Sequence, residues 1–128
     1  MNKLSLITIS NDGRGASMFG ERSIQLIGEP VRMLSEQQNA ENFRFRTSEA
    51  GYQSDWHTAG DSTLLIIVSG KVEIELRDQS SKTFASGSMF IAEDYLRPEI
   101  IENSLHGHRA RVIGEQPLLA IHIKLNRR

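Results

Sequence analysis

The stretch Leu64-Leu65-Ile66-Ile67-Val68-Ser69-Gly70-Lys71-Val72-Glu73-Ile74-Glu75-Leu76-Arg77 decides the fold class. Its first five residues are apolar on both faces of an extended chain. That is the pattern of a strand covered on both sides, in a sandwich core or at a subunit interface. Ser69-Gly70 then turns the chain. Val72, Ile74 and Leu76 alternate with Lys71, Glu73, Glu75 and Arg77, so the next strand has one apolar face and one charged, solvated face.

The same rhythm extends outward. Downstream, Asp78 to Lys82 reads as a hairpin tip, and Gly87 precedes a short strand from Met89 to Ala92. His108, Ala110 and Val112 share one face of a further strand, with Arg109 and Arg111 on the other. Leu118 to Leu125 is the last strand. Upstream, Phe43 and Phe45 alternate with Arg44 and Arg46, the signature of a half-buried strand. Leu4 to Ile9 and Ser23 to Gly28 are earlier strands, separated by the turn Asn11-Asp12-Gly13-Arg14-Gly15. The polar, glutamine-rich stretch from Leu34 to Asn42 is either a short helical turn or a surface loop. Many short strands between glycine turns, without a long helix, predict an all-β sandwich or barrel. A length of 128 residues sets one domain, spanning 1–128, with room for a core of its own.

Bulk composition narrows the function classes. With 15 basic and 16 acidic side chains, there is no broad positive field to hold a nucleic acid and no polybasic membrane anchor. There is no cysteine, hence no disulfide framework and no thiolate chemistry. Residues Met1 to Ile7 form neither a signal peptide nor a membrane span. A reducing, cytoplasmic setting fits these features.

From Trp56 to Val112 the order of features resembles the cupin family, in its small, single-domain, RmlC-like form. The first motif of the resemblance is Trp56-His57-Thr58-Ala59, then Leu64 to Val68, then Ser69-Gly70-Lys71-Val72-Glu73. The second is Gly87-Ser88-Met89-Phe90-Ile91-Ala92-Glu93-Asp94, followed by Gly107-His108-Arg109. The resemblance implies a cupin-type jelly-roll β-barrel with a small-molecule pocket in its mouth. The metal motif is degenerate. Ala59 replaces a second histidine of the first motif, Thr63 or Leu64 stands in the glutamate position, and Glu93 replaces a proline. Of the family's four metal ligands, the resemblance carries over only His57 and His108. The segment Tyr95 to Leu105 is longer than the family spacing and reads as a lid or as a loop reaching a second subunit.

Candidate residues follow. His57 and His108 are the expected catalytic pair, since imidazole titrates near neutrality. Trp56, Tyr52, Arg109 and Arg111, with Arg97 near, are the expected ligand-binding residues, the arginines as a fork for carboxylate or phosphate. For a divalent ion such as zinc, manganese or iron, the candidates are His57, His106, His108 and Asp61. Glu93 and Asp94 are further carboxylates flanking the motifs. His122 reads as an outer-face residue, because Leu119, Ile121, Ile123 and Leu125 alternate with it. Three functions compete: a pocket for a sugar or organic acid with weak or no metal and histidine-mediated proton transfer; a metal-dependent isomerase or dioxygenase; a non-catalytic ligand sensor or assembly module. Two-sided apolar strands and barrel edges call for cover, so a homodimer is expected.

Overall fold

Strands and turns account for the whole of the computed structural model, which describes residues 2–95 and 105–125. Among the described residues there is no helix, and so none long and apolar enough to cross a membrane. The strands are β1 (Lys3–Asn11), β2 (Ser17–Gln25), β3 (Ile27–Glu29), β4 (Arg32–Leu34), β5 (Ala40–Ser48), β6 (Thr63–Ser69), β7 (Lys71–Leu76), β8 (Ser81–Ala85), β9 (Met89–Ala92), β10 (His108–Ile113) and β11 (Leu118–Leu125).

Six strands form one sheet in the order β2-β1-β9-β6-β11-β5, three form a second in the order β10-β7-β8, and β3 and β4 make a separate hairpin. The β1–β9 pair is parallel, and the other pairs of the large sheet are antiparallel. The expected cupin-type jelly roll takes the form of an open sandwich, its two sheets facing each other without a continuous ladder around them.

The core lies between the sheets. Ile9, Ile67, Phe90, Ala92, Leu118 and Ala120 come from the large sheet, and Val72, Ile74, Leu76, Phe84 and Val112 from the small one. Phe84 and Phe90 meet across the layer with ring centroids 4.3 Å apart. Burying each such large side chain stabilises the fold by about 1.5–3 kcal/mol. The tight passage at Gly70 explains its residue type. Its φ is +85°, and a Cβ there would fall 2.5 Å from the Pro117 carbonyl oxygen.

The small sheet gains a partial fourth strand from residues 52–57. The Ser54 amide donates to the Ala110 carbonyl (2.9 Å), and the Val112 amide to the Tyr52 carbonyl (2.9 Å). His57 and His108 exchange both backbone hydrogen bonds, at 2.9 and 2.8 Å. This addition brings the first histidine to the second.

Four sequence expectations change. The Leu34 to Asn42 stretch is neither a helical turn nor wholly loop, because β4 ends at Leu34 and β5 begins at Ala40. Phe43 and Phe45 do not point into the core: they are 65% and 66% exposed. The register puts Ile121 opposite Phe45 and Ile123 opposite Phe43, and on the other side of β11 the same two residues face Ile66 and Leu64. These apolar residues together form the outer face of the sheet. His122, opposite Arg44 and Leu65, therefore lies on the inner face, not the outer one expected for it. Lastly, Glu73 and Glu75 are half-buried partners of arginines, not a solvated row.

Candidate functional site

A cavity of about 390 Å³ opens between the two sheets where β5 and residues 52–57 face one another. Its floor is apolar, made by Leu65, Ile67, Val72, Ile74, Phe90 and Leu118, with Ala92, Ala110 and Ala120 leaving the space. Its rim is polar, made by Arg46, Tyr52, Ser54, Asp55, His57, His108 and His122. The mouth is spanned by Arg46, whose guanidinium donates to the Tyr52 hydroxyl (3.2 Å) and lies 5.5 Å from the centre of the Tyr52 ring.

His57 and His108 stand side by side with ring centroids 4.6 Å apart. Gly107 makes this approach possible. Its φ is +97°, and a Cβ would meet the His57 carbonyl oxygen at 3.1 Å. The Nδ1 of His57 lies 2.9 Å from the Asp55 carbonyl oxygen, which only accepts, so Nδ1 is the donor of that bond and Nε2 is turned away from it.

The Nδ1 of His108 lies 2.8 Å from Oδ2 of Asp94. Asp94 is 0% exposed and is held from three sides. Ser17 donates its hydroxyl to the same Oδ2 (2.7 Å), and the Ala59 amide donates to Oδ1 (3.1 Å). The Gly107 amide in turn donates to the Ser17 hydroxyl oxygen (2.9 Å). Burial alone would push the Asp94 pKa up. The hydrogen bond and charge of His108, with the Ser17 and Ala59 donors, outweigh it and hold the carboxyl below its ordinary value. An ionised Asp94 accepts only, so Nδ1 of His108 carries the proton of this bond and Nε2 is the ring nitrogen left to give or take one, as with the orienting carboxylate of a catalytic histidine.

The remaining candidates scatter. Trp56 is not in the cavity; it stacks between the guanidinium groups of Arg77 and Arg109, 4.4 and 4.6 Å from its ring centre. Arg109 and Arg111 lie over the outer side of the small sheet, in a depression shared with Gln53 and Ser81. There Arg109 pairs with Glu75 (2.7 Å) and Arg111 with Glu73 (2.8 Å) across the β10–β7 ladder. Tyr52 lines the cavity. Arg97, and the interior of the Tyr95 to Leu105 segment, lie outside the described residues. The ends of that segment are tied down: Asn11 donates to the Tyr95 carbonyl (3.1 Å), and the Ser17 amide to the Leu105 carbonyl (3.1 Å).

The donors considered for a metal ion do not converge. Asp61 pairs with Lys124 at 3.1 Å, at the far end of β11. His106 is buried, its ring nitrogens have no hydrogen-bond partner among the described residues, and it is not among the residues that line the cavity. Glu93 binds Arg22 at 2.6 Å. Among the described residues no three histidine, aspartate or glutamate side chains are grouped to hold an ion. His57 and His108 alone fall short of the three protein ligands that catalytic metal sites typically provide.

Four rim residues were not read as functional from the sequence: Arg46, His122, Ser54 and Asp55. Asp94 was singled out only as a flanking carboxylate. The available signal for the first two was the alternation itself, which places Arg44, Arg46 and His122 on one side of adjacent strands.

No family model matches the chain, and no curated protein matches it. Solved structures do. A cupin superfamily protein from Desulfitobacterium hafniense is 14% identical, with 73% of each chain covered and a TM-score of 0.48. An RmlC-like cupin from Desulfovibrio desulfuricans is 15% identical over 78% of this chain and 79% of the other, with a TM-score of 0.42. A cupin-2 domain protein from Shewanella frigidimarina is 22% identical over 64% of this chain and 69% of the other, with a TM-score of 0.42. These are cupins, the family whose motifs Trp56 to Val112 resemble. The likeness concerns the fold alone.

Proposed function

We propose that the cavity binds a small molecule, a sugar or an organic acid, and that His108, oriented by Asp94, moves a proton to or from it. The single observation behind this reading is the buried Asp94–His108 pair, which engages Nδ1 and leaves Nε2 of a cavity-lining residue to exchange a proton. His57 beside it, its Nδ1 held by the Asp55 carbonyl, is the second base or the acceptor for a ligand hydroxyl. Two bases on one wall suit abstraction and return of a proton next to a carbonyl, the step shared by isomerases, epimerases and lyases. No step is routed through a metal ion.

The test is proton exchange. Organic acids and sugars with an acidic C–H next to a carbonyl are incubated with the protein in deuterium oxide and followed by NMR. The expected result is exchange for a subset of them, lowered by about 100-fold or more in His108→Asn, since general-base contributions run to about 10²–10⁴. Asp94→Asn should lower it as well. Binding without exchange would leave a ligand sensor in place of a catalyst. Absence of both would end the proposal.

A homodimer through the outer face of β5, β11 and β6 belongs to the same proposal. Its support is the row of Phe43, Phe45, Ile121, Ile123, Leu64 and Ile66 beside β5, an edge strand of the large sheet. Light scattering of the wild type against a Phe43→Ser/Phe45→Ser variant tests it: a wild-type monomer excludes it.

A further inference from the structure

Some cations of the molecule are paired with carboxylates and others are not. On the outer surfaces Arg22, Arg109 and Arg111 each have a carboxylate partner within 2.8 Å. Lys124, farther along the inner side of β11, is held by both Glu41 (3.3 Å) and Asp61 (3.1 Å). Arg44 and Arg46, on the inner side of β5, have no carboxylate partner among the described residues. Arg46 lines the cavity and, among the described residues, is held by the Tyr52 hydroxyl and ring face. His122, directly opposite Arg44, lines the same cavity. The carboxylate of the lining residue Asp55 stands on the 52–57 segment, across the mouth from β5.

A cationic group with no ion pair among the described residues, beside a mainly apolar hollow, has a chemical complement. We infer that the cavity takes a small organic anion with an apolar body, its negative end on Arg46 and His122 and its body against Leu65, Ile67, Phe90 and Leu118. The same two arginines act on His122, whose pKa is lowered first by partial burial and then by the positive charges of Arg46 and Arg44. A planar guanidinium already braced by Tyr52 presents paired N–H donors to a carboxylate with little loss of side-chain freedom. The apolar floor gives an alkyl or aryl chain a dry surface and offers the hydroxyls of a sugar few partners. A volume of about 390 Å³ suits a molecule of few heavy atoms, at the lower end of the range of about 300–1,000 Å³ found for small-molecule sites. This inference rests on the reading of the cavity as a ligand site and chooses the organic acid over the sugar.

Titration calorimetry with octanoate and octan-1-ol separates the two claims. The pair shares an apolar chain and differs in the charge of its end. The expected result is octanoate binding at least tenfold tighter than the alcohol, with that difference abolished in Arg46→Gln and the alcohol unaffected. Ligand-induced shifts of the His122 and His108 ring signals by NMR should place the carboxylate end at His122. Equal binding of both probes, or octanoate binding indifferent to Arg46→Gln, overturns the anion inference and leaves the cavity as a ligand site. Binding of neither probe, with ring signals that stay still, overturns the inference; loss of the proposed function itself needs the exchange experiment to fail too.

Discussion

β7 with β10 and β5 with β11 are both antiparallel pairs, and both alternate apolar and polar residues, yet they face opposite ways. In β7 and β10 the apolar residues Val72, Ile74, Leu76 and Val112 turn inward, and the charged residues pair across the outer face. In β5 and β11 the apolar residues Phe43, Phe45, Ile121 and Ile123 turn outward, while Arg44, Arg46 and His122 turn toward the interior. The first pair builds a core wall. The second gives up part of its core to line a cavity with polar groups and is left with an apolar exterior.

Substitutions sharpen the contrast. The largest effect is expected inside the regular pair. Ile74→Ala should destabilise the fold by about 2–5 kcal/mol, the cost of a lost apolar side chain and the void behind it, read from denaturant unfolding. A loss under about 1 kcal/mol would mean that the β7 face is not core. Next comes the joint between the halves. Gly107→Ala forces an L side chain into a left-handed conformation against the His57 backbone and should cost about 1–2 kcal/mol. The His57–His108 ring contact should loosen with it, visible as altered histidine ring shifts.

In the inverted pair the same measurements should barely move. Phe43→Ser with Phe45→Ser changes two exposed rings, so each subunit should keep its stability within about 0.5 kcal/mol apart from any loss of self-association. A large loss in a monomer at all concentrations would show those rings packed within their own chain.

The smallest expected effect is a pH dependence. The His122 pKa is lowered in the fold from 6.5, first by burial and then by Arg46 and Arg44. The unfolded chain therefore takes up the proton first. Stability is full above the unfolded value, falls as pH drops below it, and levels off below the folded value. His122→Gln should flatten the upper part of that fall in thermal melts between pH 7 and 5; an unchanged slope would remove His122 from the account. Asp94 acts lower on the scale. Its folded pKa is depressed below 3.8, so its contribution is present above that value and is lost as pH falls through the folded one.

Much of the architecture was legible because alternation and glycine turns are local signals. Leu64 to Arg77 announced β6, the Gly70 turn and β7, and Leu118 to Leu125 announced β11 to the residue. β8 was missed because Ser81-Lys82-Thr83-Phe84-Ala85 offers only one large apolar residue, whose packing on Phe90 is a long-range fact. The faces of β5 and β11 were misassigned for a plainer reason. Period two says that a strand has two faces and not which one looks inward. A row of isoleucines reads alike whether it lines a core or the outside of a sheet. The neighbourhood of His57 and His108 was accessible only through motif resemblance. That Asp94 orients His108 depends on Ser17 and Ala59, brought from remote segments to the same carboxylate.

Asp94 is at once the fastener of three distant pieces of chain and the group that sets the tautomer of His108. Evolution or engineering cannot then adjust the chemistry at that imidazole without also adjusting how firmly the β2 start, the turn before β6 and the β10 start are knotted together. Variants chosen for heat resistance will tend to carry altered reactivity, and variants chosen for reactivity an altered melting point.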